Sequence, residues 1–271
     1  SGRCPEDCKY CAQSACHRTD VKEYGFLPIE EIYAAAKKNQ EAGLNRFAVV
    51  TAGRALTGTE FDKAIAAFER MKKDLSIGLC ASMGFLSAEQ FRRLKKAGVT
   101  SYHHNIETSK RFFPYICTTH TYDDKIREIK LAQSEGLRVC SGGIIGMGET
   151  RRQRAELIEQ LANLWPQYPD SVPINNLVKV PGTPLENAPD VDPFEFVRMI
   201  AVARITMPRA RIRLAAGRRQ LDDGMQTLCF LAGANSIFLG EKLLTTPNPD
   251  ADDDHRLLKR LGMRATDAGR P

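Results

Sequence analysis

Three cysteines constrain this chain before anything else. Cys4, Cys8 and Cys11 stand at CxxxCxxC spacing within a short polar stretch, Cys4-Pro5-Glu6-Asp7-Cys8-Lys9-Tyr10-Cys11. Soft thiolates grouped this closely select zinc or an iron–sulfur cluster. Structural zinc sites take four ligands, commonly from two close cysteine pairs, and no second pair follows here, so zinc would need a distant residue such as His17. A cluster with four irons normally takes four cysteines, and a local set of three leaves one iron open to a ligand that is not protein. The spacing favours a cluster with an open corner over zinc, and over three unrelated buried thiols. A fold built around such a loop has to bring small molecules to that corner.

Beyond the loop, the apolar pattern switches repeatedly between helical and extended periods. Pro28 opens a helix with Ile29, Ile32, Ala35 and Ala36 on one face, ending at Gly43, and Arg46 to Thr51 is a β-branched run of the kind found in buried parallel strands. Phe61 to Lys73 reads as a helix and Ile77 to Ser82 as a strand. Ser87 with Gln90 forms a capping box for a helix ending at Gly98. Ser101 to Ile106 is a strand, Tyr122 to Gln133 a helix capped by Thr121, and Leu137 to Ser141 a strand. Helices at Arg154 to Asn163, Phe194 to Met207 and Gln220 to Leu231 alternate with strands at Val172 to Val178, Ile212 to Ala215 and Ser236 to Leu239. Roughly seven strand–helix units predict one parallel sheet in a single domain over residues 1–271, and at this length a (β/α)8 barrel of the TIM type is expected. A closed barrel needs eight strands, and the cysteine loop has the place of a βα loop, so the chain reads as a barrel lacking its first strand. The acidic run Asp250 to Asp254 reads as a solvated surface turn opening a C-terminal helix and tail from about residue 250.

Composition narrows the partners. The net charge of +6 comes from scattered basic residues without interleaved aromatics, which suits small anionic ligands and argues against nucleic acid. No apolar run reaches the ~18 residues of a membrane span, and no secretory leader is visible. Eight cysteines under those conditions point to free thiols in a reducing, cytoplasmic setting.

Ligands of such barrels collect at the C-terminal ends of strands. His103, His104, Asn105 and Glu107 close one predicted strand, where a carboxylate beside an amide suits the paired hydroxyls of a ribose, though polar helix-capping groups would look the same. Gly142 and Gly143, followed by Gly146 and Gly148, permit close backbone approach beside another strand end. Arg213 inside an apolar run calls for an anionic partner, and one of Asn175 and Asn176 should point inward. Cys80 and Cys140 look locally like small core residues, as does Cys229, while Cys16 and Cys117 sit in polar loops without an assignable role.

The segments CPEDCKYCAQSA, HNIETS, CTTHTY, VCSGGIIGMGET, SVPINNLVKVPGTPL, RLAAGR and AGANSIFLGEKLLTTPNP, in this order from Ser1 to about Leu261, closely resemble the biotin synthases of the radical S-adenosylmethionine superfamily. That resemblance implies sulfur insertion into dethiobiotin on a (β/α)8 barrel, usually a homodimer, with electrons from a donor such as flavodoxin or ferredoxin. It implies that Cys4, Cys8 and Cys11 hold a [4Fe-4S] cluster whose open iron binds S-adenosylmethionine. Tyr10, Asn105, Glu107, Gly142 and Gly143 match cofactor-facing positions, and Asn105 and Asn175 match positions that touch dethiobiotin. Cys80, Cys140 and Arg213 match ligands of an auxiliary iron–sulfur cluster, [2Fe-2S] in the better-known members. Two departures stand out. Those members carry a further auxiliary-cluster cysteine where this chain has Ala48, and an asparagine and an aspartate where it has His103 and Glu107. A related radical S-adenosylmethionine barrel, of the hydrogenase-maturation or methylornithine synthase type, and a non-catalytic metal-binding module are the competing readings.

Overall fold

A computed structural model describes residues 2–164, 166–239, 242–243, 246–249 and 251–264. The alternation read from the sequence is realised as α1 (Ile29–Glu41), β1 (Arg46–Val50), α2 (Gly58–Asp74), β2 (Gly78–Ser82), α3 (Ala88–Lys96), β3 (Val99–His103), α4 (Tyr122–Ser134), β4 (Arg138–Cys140), β5 (Gly143–Ile145), α5 (Arg151–Ala162), β6 (Ser171–Asn176), α6 (Pro193–Thr206), β7 (Arg211–Leu214), α7 (Asp223–Leu231) and β8 (Ser236–Ile237). A small antiparallel pair, β9 (Lys242–Leu243) and β10 (Thr246–Pro247), and a last helix, α8 (Ala251–Arg260), follow. The tail expected beyond α8 lies, from residue 265, outside the described residues.

The main sheet runs β1-β2-β3-β4-β6-β7-β8 with every pairing parallel, and β1 and β8 do not pair with each other among the described residues. This is the α/β, barrel-type parallel sheet expected, with seven positions along its path. The glycine-rich stretch after Cys140, read as lying beside a strand end, itself contains a short strand. β4 and β5 are two halves of one position, since β4 meets β6 at Cys140 opposite Ser171 and β5 continues along β6 from Gly143 opposite Ile174. The break falls at Ser141 and Gly142 because the neighbouring backbone crowds there: a Cβ on Gly142 would lie 1.9 Å from the Pro173 carbonyl oxygen. Only glycine allows that approach.

Capping chemistry sets the helix starts. Ser87 Oγ accepts a hydrogen bond from the Gln90 amide while the Gln90 side-chain oxygen accepts one from the Ser87 amide, and Thr121 with Asp124 repeats the device at α4. The predicted helix from Gln220 starts later, at Asp223, because the Asp222 side chain accepts from Met225 N; Arg218–Gln220 forms a separate 3-10 turn. Alternation along β3 turns Tyr102 outward, where its ring meets Phe91 of α3 edge-on at 4.8 Å and its hydroxyl donates to Gly84 O at 2.6 Å.

The acidic run is not merely solvated. Asp254, on the first turn of α8, is buried and paired with buried Arg218 through both carboxylate oxygens, and Arg218 also donates to Gln226 and to the Phe238 carbonyl. The guanidinium cannot be left buried without a counter-charge, so the helix is drawn down onto the barrel end.

Two outcomes follow for stability. Asp254→Ala strands a buried guanidinium and is expected to cost about 3–5 kcal/mol in a denaturant titration. In α4, burial raises the Glu128 carboxyl from 4.5 to about 7, opposed by its acceptance of the Leu86 amide hydrogen at 2.7 Å. A folded-state pKa above the unfolded one means that the native state gains from protonation below pH ~4.5 and loses that gain as pH rises towards ~7. Glu128→Gln keeps the acceptor without the charge, so it should exceed the parent by roughly 3 kcal/mol near pH 8 and match it near pH 4. A constant offset across pH would contradict the assignment.

Candidate functional site

The cysteine loop has little regular structure of its own. Cys4 bridges to Ser14 through Cys4 N to Gln13 O at 2.7 Å and Ala15 N to Cys4 O at 2.8 Å, and Cys11 N closes a turn onto Cys8 O at 3.0 Å. Its three thiols are free and half-buried. They lie close enough to act on one another: burial and the nearby Cys4 raise the Cys11 pKa.

What fastens the loop is the segment Cys117 to His120 before α4. Asp7 accepts from Thr118 N at 2.9 Å, from Thr119 N at 3.2 Å, from both threonine hydroxyls and from Cys117 Sγ at 3.2 Å. Burial opposes its charge, but the bonds from Thr118 and its neighbours hold the carboxyl well below the usual range. Buried Glu6 binds His120 Nδ1 and Thr119 Oγ1, each at 2.5 Å, and Arg54 at 2.9 Å. Cys117 belongs with Cys8: their mutual hydrogen bond raises Cys8 and lowers Cys117, with the contacts of His120 and Thr119 adding to the fall. Cys8, Cys117 and His120 are the one trio among the described residues whose donor atoms all lie within 4.8 Å, tight enough for a single soft ion. His17 is otherwise engaged, its Nε2 on the Cys8 carbonyl at 3.0 Å.

Glu107 stands out just beyond β3. It is the one non-glycine among the described residues with positive φ, at 68°, and its buried Oε2 has no hydrogen-bond partner. A strained backbone and an orphan carboxylate oxygen together are signs of a binding group rather than a packing one. Lys125 Nζ lies 3.9 Å from the other oxygen, and Tyr10 sits beside the carboxylate, where burial and that charge push its phenol far up. Gly142 and Gly143 carry this corner. A Cβ on Gly143 would meet the Glu107 carbonyl oxygen at 2.5 Å, so the close approach these glycines allow is first to neighbouring strands.

The two predicted amide residues are committed in the same way. Asn105 accepts from Gly142 N at 3.0 Å, and Asn175 donates to Gly143 O at 2.9 Å while accepting from Ala216 N at 3.0 Å. Both groups of the Asn175 amide thus tie strand ends together. Asn176 instead donates to Gln220 Oε1 at 2.7 Å. Glu149 occupies the Gly146 and Met147 amides at 2.8 Å each, with Arg154 behind it.

Deeper in the sheet, Cys80, Cys140 and Arg213 come together. Burial lifts the Cys80 thiol to about 11, with Cys140 adding to the rise and Arg213 opposing it. Burial also opposes the charge on Cys140, yet His103 and Arg213 outweigh it and bring that thiol to about 7. His103 Nδ1 lies 3.3 Å from Cys140 Sγ, whereas His104 points outward against Phe85 at 5.1 Å. Arg213 is half-buried over the Phe238 ring at 4.5 Å and donates to Ser236 at 2.9 Å, with no carboxylate partner among the described residues. Arg46, Arg138 and Arg211 stand close by, and burial with these like charges lowers the Arg46 pKa. The hydroxyls of Ser101 and Ser171 bear on the two thiols without a hydrogen bond of ordinary geometry. Unpartnered cations and orphan hydroxyls around two buried thiols fit an anionic group with sulfur at its surface.

Sequence reasoning missed the Glu6 and Asp7 clamp and the arginine group. The signals were present as CTTH and as arginines opening three strands at Arg46, Arg138 and Arg211. Cys16 is exposed and Cys229 is buried in α7, away from these groups.

Residues 1–161 match the Radical SAM superfamily, and residues 173–264 match the Biotin and Thiamin Synthesis associated domain. Among curated proteins, the biotin synthase of Burkholderia thailandensis is 52% identical over 99% of this chain and 79% of its own, and that of Ralstonia nicotianae 51% identical over 97% and 73%. Of solved structures, methylornithine synthase superposes with a TM-score of 0.82 at 18% identity, covering 99% of this chain and 81% of that one. An [FeFe]-hydrogenase maturase gives 0.78 at 19%, covering 97% and 62%. At those identities the structures speak for the fold alone.

Because hydrogen bonds to a charged acceptor are worth about 1.5–3 kcal/mol, Asp7→Ala should speed amide exchange at Thr118 and Thr119 by ten-fold or more while leaving β3 and β4 amides unchanged. Unchanged exchange at the two threonines would show that the clamp does not hold the loop.

Proposed function

The chain belongs to the biotin synthase family of radical S-adenosylmethionine enzymes, and from that premise we propose how its residues convert dethiobiotin to biotin by inserting sulfur. The observation that carries the activity is identity of about half over nearly the whole chain with biotin synthases, coupled to the paired family matches. A [4Fe-4S] cluster and S-adenosylmethionine belong to that chemistry, supplying on one-electron reduction the 5′-deoxyadenosyl radical that removes hydrogen from an unactivated C–H bond.

In the proposed arrangement Cys4, Cys8 and Cys11 are the cluster thiolates, and the Glu6 and Asp7 clamp sets their direction. Glu107 accepts from the ribose hydroxyls of S-adenosylmethionine through its free oxygen. Tyr10 packs by the adenine. Asn105 and Asn175 act on dethiobiotin chiefly by fixing Gly142 and Gly143, with the Asn105 amide nitrogen turned to ligand. Cys80, Cys140 and Arg213 hold an auxiliary iron–sulfur centre that donates sulfur. Support for this last part is the buried pair of thiols among unpartnered cations. A homodimer and a low-potential donor of the flavodoxin or ferredoxin kind complete the proposal.

The single-ion trio of Cys8, Cys117 and His120 favours a different reading, a lone soft metal ion, which would leave Cys4 and Cys11 idle. Anaerobically reconstituted Cys4→Ala and Cys8→Ala are each expected to form no 5′-deoxyadenosine and to lose the [4Fe-4S] spectrum. Normal cleavage of S-adenosylmethionine by Cys4→Ala would sink the cluster assignment in favour of the trio.

A further inference from the structure

Strand register puts Ala48 of β1 directly beside Cys80 of β2, so the position that carries a cluster thiolate in other members offers only a methyl group. The auxiliary centre is then short of one protein donor. None of the remaining cysteines supplies it. Cys117 is held by Asp7, His120 and Cys8 at the loop, Cys16 is exposed, and Cys229 is inside α7.

One nitrogen donor does reach the centre. His103 closes β3 opposite Cys140 in register, its side chain on the same face as that of Ser101 two residues earlier. Its Nδ1 stands 3.3 Å from Cys140 Sγ. Metal–nitrogen and metal–sulfur bonds of about 2.1 and 2.3 Å at a tetrahedral angle place two donors on one ion roughly 3.5 Å apart, so the observed separation suits a shared ion. Cys80, Cys140 and His103 are not a trio within 4.8 Å, which suits a centre with more than one iron. Imidazole is an established substitute for thiolate on iron–sulfur irons.

A plain thiol–imidazole hydrogen bond would account for the 3.3 Å contact alone. It would leave Arg213 without a carboxylate and Arg46 crowded by Arg138, Arg211 and Arg213, more positive charge than one thiol answers. An anionic centre at Cys80 and Cys140 gives these cations more counter-charge than one thiol can, and His103 is the nitrogen donor placed to join it.

We propose that His103, through Nδ1, is the fourth protein ligand of the auxiliary iron–sulfur centre, sharing a metal ion with Cys140 and making good the donor that Ala48 lacks. The inference rests on the auxiliary centre of the preceding section. It carries one electronic consequence. A neutral nitrogen in place of a thiolate removes negative charge from the centre and raises its reduction potential.

The test uses the whole chain, reconstituted anaerobically with iron-57 and sulfide and carrying nitrogen-15 histidine. Pulsed EPR on the reduced auxiliary centre of the parent should show a histidine nitrogen coupling. Mössbauer spectra of His103→Asn should lose the auxiliary signal while the [4Fe-4S] signal persists as an internal check on folding. His103→Cys should keep the auxiliary iron, lose the nitrogen coupling and shift the potential downward. An auxiliary signal in the parent without histidine coupling, and unaltered in His103→Asn, overturns the ligand assignment alone. A parent with no iron beyond the [4Fe-4S] cluster, and no change in Cys80→Ala, overturns the auxiliary centre itself and the ligand with it. Because the coupling is read on the parent, misfolding of a variant cannot hide the answer.

Discussion

The cluster loop depends on two neighbouring carboxylates. A stretch that presents three thiols within eight residues has no room for a helix or strand of its own, and its few internal backbone bonds fix only its ends and one turn. Glu6 and Asp7 supply the missing constraint from between the first two cysteines. Their acceptors gather the amides and hydroxyls of Thr118 and Thr119, the Cys117 thiol, the His120 ring and the Arg54 guanidinium. Charge-assisted bonds of this kind are stronger and more directional than neutral ones, so a loop is aimed with a precision usually reserved for strand ends. The segment that receives it leads directly into α4, whose Lys125 reaches back to Glu107. One network thereby links the thiols to the Glu107 carboxylate.

At the strand ends, the polar residues divide between shaping the site and serving it. Asn175 is used up on backbone groups, Glu149 on two amides and an arginine, and the glycines at 142 and 143 on the close approach of Pro173 and Glu107. Glu107 is the exception, held in an unfavourable backbone conformation with an oxygen left over. Strain of that sort persists only where the surroundings over-determine it, and here both flanking peptide groups are bonded to the Gly142–Ile144 segment.

Much of the fold was legible because its signals are local. The capping boxes at Ser87 and Thr121, the apolar face of α1 and the β-branched run of β1 each act within a few residues, and each element formed close to where those signals place it. β5 was hidden because Gly142 and Gly143 look like loop residues until the Pro173 and Glu107 backbones that demand them are in place. Asp254 looked solvated for a related reason: its partner, Arg218, is thirty-six residues away and buried by the helix that the pair itself anchors. The thiol spacing announced a metal loop. Nothing in it announced the clamp, because Glu6 and Asp7 meet Thr118 to His120 from more than a hundred residues off.

The interior of the sheet follows a different electrostatic logic from its rim. At the rim, carboxylates outnumber the cations they meet, and they collect amides, hydroxyls and an imidazole. Inside, the half-buried Arg46, Arg211 and Arg213, with exposed Arg138 near Arg46, have no carboxylate partner among the described residues, and Arg46 and Arg213 bear on the buried Cys80 thiol. Three half-buried guanidiniums, Arg46, Arg211 and Arg213, carry a desolvation and mutual repulsion that negative charge placed among them would relieve. Protein thiolates alone are a partial answer, because Cys80 by itself holds its proton tightly. A centre that brings its own negative sulfur, and that turns both thiols into ligands, is a complete one. With the proposed centre in place, the arginines opening β1 and β7 would serve the site alongside the cysteines, because strand alternation puts Arg46 on the face of Ala48 and Arg211 on that of Arg213.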